Sequence, residues 1–170
     1  VDELIDAGAV SLVFDVRDVT SGTLLSVSQI LDKLLPQGNI ILSTDKNGND
    51  TVLATSDANE ISLPMAVLVS ERTSGEAELF AKALQDFDKG KVIGVKTAGK
   101  GTVQRTFPLT DGSAIRLTVA RYKTPLGDSY DLVGVQPDYE VKKDDPVSTM
   151  GDSSITDAQL KKAIEVVNAA

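Results

Sequence analysis

A mixed α/β fold is predicted by three features of the chain. In the N-terminal half, short apolar runs of strand length alternate with amphipathic segments of helical period. Further on, strand-like runs flank turn signals at Asp111-Gly112 and Thr124-Pro125-Leu126-Gly127-Asp128, the mark of hairpins. The 170 residues are 41% apolar, enough to bury one sizeable core. Strands alternating with helices and then hairpins define an α/β domain of the α+β kind.

Taken in order, residues 1–9 have helical spacing, with Leu4, Ile5 and Ala9 on one side and Gly8 near the stop. Ser11 to Arg17 is an apolar run predicted as a buried strand. After the polar turn Asp18 to Gly22, Leu24, Leu25, Val27, Ile30, Leu31, Leu34 and Leu35 recur at helical spacing until Pro36 and Gly38 end the segment. Asn39 to Ser43 and Thr51 to Thr55 are strands around an acidic turn. That turn invites a calcium-loop reading, but its glycine, Gly48, sits fourth rather than sixth and no glutamate closes a loop of the required length. Asn47-Gly48 instead predicts a hairpin. Pro64 to Ser70 is a third buried strand, followed by a helix with Ala77, Leu79, Phe80, Ala83, Leu84 and Phe87 on one face. Lys91 to Val95 is a further strand. Val103 to Leu109 and Ala114 to Tyr122 form the hairpin, and Val133 to Val141 is extended. Lys142 to Ser154 is a polar loop before a final helix, which opens with capping-box spacing at Thr156 and Gln159.

Composition excludes several chemistries. With no histidine and no cysteine, Ser-His-Asp and Cys-His catalysis cannot be built from this chain, nor can the usual zinc or copper sites, nor disulfides. No metal or cofactor is expected. The net charge of −8 argues against a nucleic-acid partner. There is no apolar run of membrane-spanning length. The chain opens on a helical segment without a leader, as a piece of a longer polypeptide would. Any acid–base work must fall to Lys, Asp, Glu, Tyr or a Ser–Lys pair.

Two stretches could carry such chemistry. Thr73-Ser74-Gly75-Glu76 lies where a buried strand turns into a helix. Its plain interpretation is a capping box between Thr73 and Glu76. A helix start of this kind also presents free N–H groups that can hold an oxyanion beside a nucleophile. Gly94 to Thr102 is a near miss to a phosphate-binding loop. Gly101 stands where Ser or Thr is required, and strand rather than helix follows. What remains is either a surface turn with a solvated lysine, or a lysine held between glycines that permit close backbone approach. In the second case partial burial would equip it as a general base.

Together these segments resemble the catalytic core of the C-terminal processing (tail-specific) serine peptidases. Leu12 to Arg17 is similar to the family's strand ending in Asp-Leu-Arg. Of the Gly-Gly pair that follows in the family, only the second glycine is kept, as Gly22. Thr73 to Leu79 resembles the block Ser-Ala-Ser-Ala-Ser-Glu-Ile, and Ala83 to Phe87 resembles Ala-Leu-Gln-Asp-Tyr. Thr97 to Gln104 resembles Thr-Phe-Gly-Lys-Gly-Ser-Val-Gln, and Gly134 to Asp138 resembles the closing Gly-Ile-x-Pro-Asp. The likeness covers residues 1–141, leaving 142–170 as a loop and helix packing on the same domain.

The resemblance implies a ClpP/crotonase-like fold of stacked ββα units and a serine endopeptidase acting on an extended polypeptide or its C-terminus. It also implies an extracytoplasmic parent protein, and it leaves no room for the family's PDZ-like domain. By position it implies Lys100 as base, Gln104 as its orienting partner and Asp86 as a residue linked to activity or structure. Gly22 and the N–H of Glu76 would form the oxyanion site. The nucleophile position falls on Gly75, three residues before Glu78. Glycine cannot form an acyl-enzyme, so this chain is expected not to cleave peptides efficiently. The serine has been exchanged to trap substrate or stop self-cleavage, or the protein is a natural pseudo-peptidase that binds peptides or serves as a scaffold, or Ser74 takes over after a one-residue shift. The last requires a turn of ~100° about the helix axis.

Overall fold

The computed structural model describes residues 1–143 and 156–169. The described residues form two four-stranded sheets and four helices. The first sheet is parallel, in the order β1 (Leu12–Asp15), β4 (Met65–Val69), β5 (Gly90–Gly94), β8 (Tyr139–Glu140). The second is antiparallel, in the order β3 (Asp50–Ser56), β2 (Gly38–Asp45), β7 (Ala114–Lys123), β6 (Thr102–Pro108).

The parallel sheet is covered on both faces, and β4 shows why its sequence is apolar throughout. Alternate residues of a strand face opposite sides. Met65, Val67 and Val69 join the main core with α2 (Leu24–Leu34) and α3 (Glu76–Asp86). Ala66 and Leu68 join a second cluster with Ala163 and Val167 of α4 (Ala158–Asn168). A strand buried on both faces has no polar positions to offer, which gives Met-Ala-Val-Leu-Val. The predicted strands and helices stand at these positions with shifts of a few residues, and α1 (Asp2–Asp6) is the short helix expected at the start. The acidic turn is a hairpin. Gly48 takes a positive φ, and the Asp45 carboxylate accepts the N–H groups of Asn47 at 2.8 Å and Asn49 at 2.9 Å.

Three local expectations are corrected. The capping box is not Thr73/Glu76. The N-cap is Gly75, and the side chain that turns back onto it is Glu78. Thr73 is unavailable as a cap because its hydroxyl accepts the N–H of Ser70 at 3.0 Å and donates to the carbonyl of Val16 at 2.9 Å. The last helix is capped by Asp157, which accepts from Gln159 and Leu160, rather than by Thr156. From Val133 to Val141 only Tyr139–Glu140 is strand. The residues before it fold as a turn stitched to the 97–101 loop, through the N–H of Thr97 on the carbonyl of Val135. Most of the predicted loop from Lys142 to Ser154 lies outside the described residues.

Candidate active site

The site lies where β4 ends and α3 begins. Two loops meet there, residues 16–22 after β1 and residues 97–101 before β6. The turn 70–74 binds both. On one side, the N–H of Ser74 donates to the carbonyl of Val19 (3.0 Å) and the Ser74 hydroxyl to that of Thr20 (3.3 Å). Ser70 Oγ accepts the N–H of Asp18 at 3.1 Å. On the other side, the N–H of Ala98 donates to the carbonyl of Thr73 at 3.1 Å.

Glu78 ties the helix start to the lysine loop. Its side chain is wholly buried. One carboxylate oxygen accepts the Gly99 N–H at 2.7 Å and the Thr97 hydroxyl. The other accepts the Lys100 N–H at 2.8 Å and the Gly75 N–H at 3.1 Å. Four donors fill the acceptor sites a carboxylate offers. Gly75 and Lys100, distant in sequence, thus share one oxygen as hydrogen-bond partner.

The glycines around Lys100 permit close packing. A Cβ at Gly99 would come within 2.9 Å of the Gly134 nitrogen, and one at Gly101 within 2.9 Å of the Asp131 nitrogen. The 130–134 turn grips the loop from outside. The N–H of Leu132 donates to the Gly99 carbonyl (2.9 Å), and Asp131 accepts the N–H of Gly101 (3.1 Å). Tyr130 reaches through to donate its hydroxyl to the carbonyl of Gly75 at 3.0 Å. Burial, reinforced by the nearby Glu78 carboxylate, pushes the Tyr130 phenol well above its ordinary value. It stays a hydrogen-bond donor across the working pH range. The loop is therefore a packed structure and not a loose surface turn, although the Lys100 side chain itself is exposed.

Gly75 has φ 71° and ψ −128°, outside the regions open to most residues. A Cβ added there meets nothing within 4 Å, so a side chain at this position would project into open space. Gly22 abuts Glu76: a Cβ at Gly22 would lie 3.3 Å from the Cβ of Glu76. Among the described residues neither the N–H of Gly22 nor that of Glu76 has an acceptor. Two N–H groups without an acceptor among the described residues thus lie near position 75, where a side chain would project into open space.

Of the remaining predicted residues, Gln104 and Asp86 stand apart from this cluster and Ser74 lies within it. Gln104 is exposed on β6, next to an irregularity in the β6–β7 register, and makes no hydrogen bond to Lys100. Ser74 is 2% exposed with its hydroxyl turned to Thr20. Asp86 lies at the far end of α3, ~16 Å from Gly75 along the helix axis. There it pairs with Lys82 at 2.5 Å and accepts the hydroxyl of Thr124, holding the turn that contains Gly127. Sequence reasoning missed Glu78, Tyr130 and Thr97 as parts of the site. One signal was available: Glu78 is the single charge within the apolar window Ala77 to Ala81.

At this place a strand-to-helix turn with a positive φ, a lysine loop bound to it and two N–H groups without an acceptor among the described residues lie together. The profile of peptidase family S41 matches residues 1–141, and the chain belongs to that family of C-terminal processing serine peptidases. It is 38% identical over 138 residues to a chloroplastic carboxyl-terminal-processing peptidase of Arabidopsis thaliana, covering 80% of this chain and 27% of that protein. It is 31% identical over 165 residues to the carboxyl-terminal-processing protease of Synechocystis, covering 97% of this chain and 38% of that protein. Among solved structures it superposes on the photosystem II D1 C-terminal processing protease with a TM-score of 0.77 at 34% identity. That match covers 82% of this chain and 36% of the other. The chain thus spans between a quarter and two fifths of the length of these relatives.

Proposed function

We propose that this domain is the catalytic core of a serine endopeptidase that processes polypeptide chains outside the cytoplasm, disarmed here by glycine at position 75. The observation that carries this reading is the Glu78 carboxylate, which binds the backbones of Gly75 and Lys100 at once. With serine at 75, its Oγ attacks the scissile carbonyl carbon while Lys100 takes the hydroxyl proton. The N–H groups of Gly22 and Glu76 receive the oxyanion. Collapse of the tetrahedral species expels the amine, protonated by Lys100, and water then hydrolyses the ester. Gln104 orients Lys100 once substrate closes over the loop, and Asp86 acts on the site from a distance through α3 and the 124–127 turn. Ser74 is a structural hydroxyl and not a substitute nucleophile. The chain as it stands binds polypeptide but forms no acyl-enzyme.

The test is Gly75→Ser probed with a fluorophosphonate. Covalent labelling that disappears in Gly75→Ser/Lys100→Ala is the expected result. A folded Gly75→Ser protein that stays unlabelled overturns the peptidase reading. It would favour the second reading, a natural pseudo-peptidase that serves as a peptide-binding scaffold. The positive φ of Gly75 supports that alternative, because it costs a residue with a side chain about 1–3 kcal/mol.

A further inference from the structure

Tyr130 joins the turn outside the lysine loop to the start of α3. It is 2% exposed, and its hydroxyl donates to the carbonyl of Gly75 at 3.0 Å. Its ring packs on the lysine loop: a Cβ at Gly101 would come within 3.0 Å of Tyr130 Cε2. The two residues after it hold the same loop, Asp131 by accepting the N–H of Gly101 and Leu132 by donating its N–H to the carbonyl of Gly99. The Gly75 carbonyl is not short of donors. The N–H groups of Glu78 and Leu79 reach it at 3.1 and 3.2 Å, as the first bonds of the helix. The phenol is thus a third donor on an oxygen that the helix already serves, and a carbonyl offers two lone pairs.

What the third bond adds lies at the other end of the same peptide group. The carbonyl of Gly75 and the N–H of Glu76 belong to one planar unit. That N–H has no acceptor among the described residues. Gly75, with no Cβ, restrains the unit little from its own side. A clamp on the oxygen therefore helps to fix the direction of the N–H, and polarisation through the peptide makes that N–H a stronger donor. We infer that Tyr130 is a positioning residue for the reaction: it clamps the 75–76 peptide group, and so orients and strengthens the Glu76 N–H as a donor to the oxyanion. The inference rests on the peptidase reading and adds to it a residue that acts through another group. It also places the oxyanion donor and the lysine loop on one support, the turn 130–134.

Two measurements test the assignment. Tyr130→Phe removes the hydroxyl alone and leaves the Gly75 carbonyl with both helical N–H groups, so the urea midpoint should fall only slightly. In the Gly75→Ser background, Tyr130→Phe is expected to lower kcat for peptide cleavage about three- to tenfold with KM unchanged, because the oxyanion exists only in the transition state. The pH dependence of kcat should keep its position, since the base is untouched. An unchanged kcat, a loss confined to KM, or a profile displaced along the pH axis overturns the inference. The second measurement needs no catalysis. In the Gly75 chain, Tyr130→Phe should move the NMR resonances of the Gly75 carbonyl carbon and the Glu76 amide nitrogen more than those of the Gly99 and Lys100 amides. Resonances at 75–76 that stay in place, or that move less than those of the lysine loop, overturn the clamp. Shifts at 75–76 together with an unlabelled Gly75→Ser protein would sustain the clamp while ending the peptidase reading.

Discussion

The two loops that flank the start of α3 are held by different chemistry. The lysine loop hangs on one buried carboxylate, Glu78, which takes three backbone N–H groups and one hydroxyl. Where it faces the 70–74 turn, the 16–22 loop is held by three hydroxyls, those of Ser70, Thr73 and Ser74, each making a bond of 2.9–3.3 Å to a backbone group, with Ser70 also donating to the Asp18 carboxylate at 3.1 Å. Charge-assisted bonds are stronger and depend on a single residue, whereas the hydroxyl bonds are weaker and shared. The hold on the lysine loop is thus concentrated in one side chain, and the hold on the inner side of the 16–22 loop is distributed.

Substitutions should expose this contrast. Glu78→Ala removes the acceptor for three buried or half-buried N–H groups, and should destabilise the domain by about 3–5 kcal/mol in urea denaturation. Glu78→Gln should recover little, since its amide turns donors toward donors. In the Gly75→Ser background both should abolish fluorophosphonate labelling. If Glu78→Ala proves no worse than a single hydroxyl deletion, the contrast collapses.

Thr73→Ala should cost about 1–2 kcal/mol by the same measurement, since it loses one donor and one acceptor interaction. Ser74→Ala should cost about 0.5–1 kcal/mol and leave labelling of Gly75→Ser intact. Loss of labelling on removing Ser74, with the fold preserved, would make Ser74 the nucleophile after all.

The smallest expected effect concerns the outer anchor of the 16–22 loop. Arg17 pairs with Asp15 and with Asp157 at the start of α4, each at 2.6 Å. The hydrogen bonds from Arg17 hold the Asp15 carboxyl below the ordinary carboxylate range, against an opposing effect of burial. At Asp157 burial pulls upward, but the N–H of Leu160 and Arg17 outweigh it. Both folded-state values lie below the unfolded ones. Their contribution is therefore present above about pH 4 and lost as pH falls through the lower folded values. Arg17→Met should lower the urea midpoint modestly at pH 7, and the gap to the parent protein should narrow below pH 4. A gap independent of pH would remove the ion pairs from the account.

Much of this was legible in the chain. The period-two and helical patterns placed the elements, because burial against a sheet or helix leaves its signature locally. Asn47-Gly48 identified the hairpin because only certain residues tolerate its backbone. The family likeness pointed to Gly75 and Lys100 because both lie in short contiguous blocks. Capping was misjudged at both Thr73 and Thr156. In the first case tertiary bonds to Val16 and Ser70 outcompeted the local cap, and in the second Asp157, one residue on, took the role.

By itself the sequence determined the order of strands and helices, the absence of histidine and cysteine chemistry, and the glycine at position 75. These follow from residue identity and near-neighbour spacing alone. Only the tertiary structure decided that Glu78 is the hub joining Gly75 to Lys100, that the Ser74 hydroxyl faces inward, and that Tyr130 reaches the carbonyl of Gly75. Each of those depends on groups far apart in sequence meeting at one point, and no local pattern encodes which buried donor a carboxylate will find.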